Sequence, residues 1–133
     1  MTTRAEGESS ASDRGVRAVV FDLGGVVVRI ARSWEEGCDF AGLPVREAER
    51  FKDPALRAER RALSNAYQAG ELTCEQCFER ISAHAAGLYT ADEIERIHRA
   101  WVREPYEGVA DLVAALNQSD LLTACLSNTN NAH

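Results

Sequence analysis

Two short apolar runs bracket a long stretch of helical periodicity. The first, Ala18-Val19-Val20-Phe21, is β-branched and too short for a helix, so it predicts a buried parallel strand. It ends in Asp22, and Gly24 and Gly25 follow before a second apolar run, Val26-Val27-Val28. Far downstream, Leu121-Leu122-Thr123-Ala124-Cys125-Leu126 predicts another buried strand, ending in Ser127-Asn128-Thr129-Asn130.

From Ser33 to Arg103 the pattern is almost wholly helical. Ser33-Trp34-Glu35-Glu36 reads as a capping box opening a short helix, with Trp34, Cys38 and Ala41 on one face. Gly42-Leu43-Pro44 breaks it. Val45 to Phe51 predicts a second short helix with Val45, Ala48 and Phe51 aligned. Asp53-Pro54 supplies an N-cap and a proline at the first helical position, and Gly70 ends that third helix near Ala69. Thr73-x-x-Gln76 and Thr90-x-x-Glu93 are two more capping boxes. The last helix aligns Ile94, Ile97, His98 and Trp101, which makes His98 a packing residue before a ligand. After Pro105, Gly108 to Asn117 carries Val109, Leu112, Val113 and Leu116, an amphipathic helix suited to one sheet face. Asn117-Gln118-Ser119-Asp120 is the turn into the second strand.

This order makes a strand-helix-strand unit with helices inserted in its crossover. Apolar residues at 45% and charged residues at 27% fit an ordinary globular balance. The net charge of −6 argues against nonspecific binding to nucleic acid or anionic membrane. No apolar run approaches the roughly 20 residues of a membrane helix. Residues 1–15 are polar and lack an apolar signal region, so they read as a disordered tail.

Cys74 and Cys77 form a CxxC, the spacing of metal and redox sites. They share a helical face with Phe78, Ile81 and Ala85, and no second CxxC or His pair completes a zinc set. Core cysteines in a reduced, cytoplasmic protein are the preferred reading.

Asp22 closes the first strand at the end where open α/β sheets place their ligands. A carboxylate there needs a cation or hydrogen-bond donors if it is to be buried. Two strands ending side by side in small polar residues make one plausible site, with Asp22 as nucleophile or metal ligand. A residue that only caps a loop is the plainer alternative. Arg29 and Arg32 stand just past this loop, facing either an anionic substrate or, as is commoner, solvent.

Val19-Val20-Phe21-Asp22-Leu23-Gly24-Gly25-Val26-Val27-Val28 and Cys125-Leu126-Ser127-Asn128-Thr129-Asn130 resemble motifs I and II of the haloacid dehalogenase-like (HAD) hydrolases. The resemblance runs from about Val16 to the end. It is greatest to the helical-cap branch that includes sugar-phosphate phosphatases. It implies an α/β fold: a partial Rossmann-like HAD core of two parallel strands and a helix over 16–32 and 104–133, with a helical cap over 33–103. It implies Asp22 as nucleophile, forming an aspartyl-phosphate. It implies Mg²⁺ held by the Asp22 carboxylate and the Gly24 carbonyl. Ser127 would hydrogen-bond the phosphoryl oxygens, with backbone N–H groups of Leu23, Gly24 and Asn128 as further donors.

The implied activity is Mg²⁺-dependent hydrolysis of a small phosphorylated metabolite. Many of the family's phosphatases carry a second Asp two residues after the nucleophile; this chain has Gly24 there. The motif III lysine and motif IV acidic pair would follow motif II, whereas the only lysine is Lys52. The expectation is therefore a fragment of a HAD-like hydrolase that turns over phosphate esters poorly by itself. Two alternatives stay open: a 2-haloacid dehalogenase-type hydrolase, against which Gly25-Val26 stands, and a non-catalytic binding module. The substrate and the oligomeric state are not legible in the sequence.

Overall fold

Ala18–Phe21 forms strand β1 and Leu122–Cys125 forms β4. The two pair in parallel, with Phe21 opposite Cys125. Backbone bonds extend the pairing at both ends, from Leu122 N–H to the Arg17 carbonyl (3.0 Å) and from Leu126 N–H to the Phe21 carbonyl (2.8 Å). The computed structural model describes residues 15–130 and 132–133; the tail expected over 1–15 lies, but for Gly15, outside them. Helix α6 (Val109–Asn117) precedes β4 and packs on it. This is the α/β unit that the two apolar runs predict.

One expectation fails here. Neither strand is buried: Val20 is 60% exposed and Leu122 66%. No residue of β1, β4 or α6 is buried. A parallel pair needs layers on both faces, and one helix supplies too little cover.

Five helices fill the crossover: α1 (Trp34–Phe40), α2 (Ala48–Phe51), α3 (Pro54–Gln68), α4 (Cys74–His84) and α5 (Ala91–Ala100). Thr73 and Thr90 form complete capping boxes with Gln76 and Glu93. Asp53 accepts from the N–H groups of Ala55 and Leu56, with Pro54 at the first helical position. At α1 the box is only half made. Ser33 accepts from Glu36 N–H, but the Glu36 carboxylate accepts from Arg32 N–H instead.

Helix α2 is a single turn, shorter than the expected 45–51. Arg46 explains this. Its N–H donates to the Tyr89 hydroxyl (2.7 Å), and its guanidinium donates to the Leu88 carbonyl and to both Glu93 oxygens. These bonds hold residue 46 out of a helix, Glu47 takes a left-handed φ of 43°, and Val45 is left exposed.

The core lies among these helices. Cys38, Cys77, Tyr89, Ile94 and Ile97 are fully buried, and Tyr67, Phe78 and Ile81 nearly so. Burial pushes the Cys77 thiol up to about 11, with Cys74 adding to it. Cys74 is half-buried, its sulfur 2.9 Å from the Tyr67 hydroxyl. All four cysteines are free. A thiol held so far above neutrality is a packing group, in line with the core reading of this pair.

The sequence reading missed a second ribbon. Val28–Ile30 (β2) and Val102–Pro105 (β3) pair antiparallel, with Val28 opposite Pro105 and Ile30 opposite Val102. Next to it, Ala31 N–H donates to the Trp101 carbonyl (2.9 Å). The chain's passage into the helical block is thereby tied to its passage out. Among the described residues no helix is long and apolar enough to cross a membrane.

Candidate active site

The parallel register of β1 and β4 brings two polar segments side by side. With Phe21 opposite Cys125, Asp22 leaves its strand beside Leu126 and Ser127. The loop after Asp22 is tightly wound. The Leu23 carbonyl accepts from the N–H groups of Val26 (3.2 Å), Val27 (2.9 Å) and Val28 (3.0 Å), and Gly25 N–H donates to the Val28 carbonyl (2.8 Å). Gly25 has a φ of 76°, a conformation that a side chain strains.

Leu23, Gly24, Ser127 and Asn128 line one cleft of about 290 Å³, bounded on its other side by Gln68 of α3 and Trp101. Asp22 is not among the lining residues; it stands exposed at the same strand end. Among the described residues, the N–H groups of Leu23, Gly24 and Asn128 donate to no acceptor, which leaves them available to an anion. The Ser127 hydroxyl makes only a long contact to the Asn128 carbonyl, at 3.4 Å.

None of the bonds closing the loop ends on the Gly24 carbonyl. That carbonyl and the Asp22 carboxylate are two hard oxygen donors, the kind Mg²⁺ takes. They fit a magnesium ion in chemistry, with water and a phosphoryl oxygen left to complete the roughly six positions it requires. Among the described residues no group of three His, Cys, Asp or Glu side chains gathers anywhere to hold a metal.

The sequence reading did not find Gln68, Trp101 and His133, which line the cleft beside Asn130. His133 Nε2 lies 2.8 Å from the His98 carbonyl, which brings the last residue against α5. His98 itself packs against Phe78, with ring centres 5.1 Å apart and planes tilted by 49°. Burial, then the charge of His133, holds it down to about 4, so it is neutral at pH 7. It is the packing histidine that its helical position suggests. Arg29 forms an exposed ion pair with Glu104 at 3.7 Å and lies over the Tyr106 ring, while Arg32 lines a neighbouring cavity.

No family model and no curated protein matches the chain. Two solved structures of a HAD family enzyme from Bacteroides thetaiotaomicron do, with TM-scores of 0.67 and 0.64, each at 18% identity over 90% of this chain. The second is the wild-type protein in complex with magnesium and inorganic phosphate. The chain spans 57% and 56% of those two neighbours. The chain thus shares the α/β fold of these HAD family structures, with helices inserted in its crossover, and covers just over half of their length.

Proposed function

We propose that the chain carries the phosphate-binding end of a HAD-like hydrolase, a Mg²⁺-dependent phosphomonoesterase for a small phosphorylated metabolite. The observation that carries this is the pairing of β1 with β4. It sets a free carboxylate, a hydroxyl and uncommitted N–H groups at adjacent strand ends. The fold shared with an enzyme whose structure holds magnesium and phosphate supports the same reading.

In this reading residues 33–103 are the cap. An Asp22 oxygen forms a bond to phosphorus as the ester P–O bond breaks, giving an aspartyl-phosphate. The leaving oxygen takes its proton from water, since Gly24 offers no side chain as an acid. Water then attacks phosphorus, releasing inorganic phosphate and restoring the Asp22 carboxylate. Ser127 and the N–H groups of Leu23, Gly24 and Asn128 hold the phosphoryl oxygens where charge builds. Magnesium, held by Asp22 and the Gly24 carbonyl, supplies positive charge against the repulsion between carboxylate and phosphate.

The test is phosphate binding and ester hydrolysis with and without Mg²⁺. Mg²⁺ should strengthen the binding of inorganic phosphate by wild type, and Asp22→Asn should abolish any turnover while the circular dichroism spectrum stays unchanged. Turnover that survives in Asp22→Asn removes this residue from the nucleophile's role.

A further inference from the structure

Three cavities adjoin along the helical block. The cleft at the strand ends shares Gln68, Trp101, Asn130 and His133 with a second cavity of about 290 Å³. That second cavity shares Trp34, Arg60 and Trp101 with a third, of about 410 Å³. Trp101 borders all three, so they form one elongated trough with the strand ends at one extreme.

The far extreme has its own chemistry. Arg32, Lys52, Arg57 and Arg60 line it, against one acidic residue, Glu35. This concentration of positive charge occurs on a chain whose net charge is −6. Arg57, Arg60 and Arg61 project from one side of α3, as the spacing of three and four residues dictates. Arg32, Arg57 and Arg61 join no ion pair among the described residues, whereas Arg46, Arg50, Lys52 and Arg99 are each matched to a glutamate. Arg60 is half-buried, and burial followed by the charge of Arg57 lowers its pKa. Guanidinium groups crowded into one cavity repel each other, and a bound oxyanion relieves that repulsion through forked hydrogen bonds. The strand-end cleft shares only Trp101 with this cavity, so one phosphate does not serve both.

We propose that the Arg32, Arg57 and Arg60 end of the trough binds a second phosphate of the substrate, making the preferred substrate a small molecule phosphorylated at both ends. The proposal rests on the phosphatase reading for the other end. Binding by calorimetry, with Mg²⁺ present, tests it on inorganic phosphate, a hexitol monophosphate and the hexitol bisphosphate. The bisphosphate should bind about tenfold more tightly than the monophosphate, the worth of one charge-assisted pair. Arg60→Gln should remove most of that preference and the exposed Arg57→Gln roughly threefold of it, with monophosphate binding unchanged in both. If Arg60→Gln fails to fold, Arg57→Gln and Arg32→Gln carry the test. Equal affinity for the two esters, or a preference that survives all the variants, overturns the proposal while leaving the phosphatase reading intact. Failure of wild type to bind inorganic phosphate or the monophosphate overturns both.

Discussion

The strand pair is built from more apolar sequence than the helical block, yet only the block has an interior. The buried cluster runs through α1, α3, α4, α5 and the loops between them, where ten side chains meet. In the strand pair Val20, Leu122 and Leu126 are 60%, 66% and 76% exposed. The difference is one of partners. Helices joined by short loops find neighbours within a few turns of chain, and three capped amphipathic helices enclose a core by themselves. A parallel pair joins residues a hundred apart and has both faces to cover, and among the described residues it is α6 that packs on it. Apolar sequence therefore reports the wish for burial, and burial itself depends on how many layers are present.

The largest effect should come from hollowing the block. Ile94 is fully buried, and Ile94→Ala should cost about 2–5 kcal/mol in denaturant unfolding. Should Val20→Ala cost as much, the contrast between the two regions is wrong.

Acid should strike the same block next. His98 is held at about 4 in the fold, against 6.5 when free. The folded state thus binds that proton less well than the unfolded chain. Its contribution is full above pH 6.5 and is lost as pH falls from 6.5 to 4, by up to about 3 kcal/mol. Glu93 is held at about 2 by hydrogen bonds from Arg46 first and Thr90 second. Its contribution is full above 4.5 and is lost as pH falls from 4.5 towards 2. Unfolding midpoints between pH 7 and 4 should fall, and His98→Phe should flatten the upper limb. A midpoint that is constant from pH 7 to 5 contradicts the His98 account.

A smaller effect should follow from the contact between the block and the trough. A Cβ added at Gly37 would lie 2.6 Å from Trp101 Cζ3 and 3.1 Å from Ile97 Cγ2. Gly37→Ala must displace the indole, at a cost of about 1–3 kcal/mol and with a shift in tryptophan emission. An unchanged spectrum and melting temperature would show that Trp101 is not held there. The smallest effect belongs to the strands. Val20→Thr should change stability by no more than about 0.5 kcal/mol, because that side chain has little contact to lose.

Much of the local structure was legible. Asp53-Pro54, Thr73 and Thr90 mark their helix starts because capping is chemistry between residues two or three apart. The burial of Cys77 and Ile97 follows from helical spacing. What was lost depended on distant partners. β3 carries Arg103, Glu104 and Pro105, with every residue exposed, so it shows no strand alternation; pairing with β2 alone makes it a strand. Helix α2 is cut short by Arg46 bonding to Tyr89 and Glu93, more than forty residues away. Of the candidate site, the two strand ends were readable as Asp22 and Ser127, but the arginines of α3 were not. Their spacing gives one helical side, and only packing decides that this side looks into a trough.

The sequence by itself determined the two strands, the capped helices and the polar residues at the strand ends, because each depends on near neighbours and on side-chain type. The tertiary structure decided which of the two apolar regions is buried, which ribbon ties the helices to the strands, and which charges share a cavity. Those are properties of contact between segments far apart in the chain, and no local pattern encodes them.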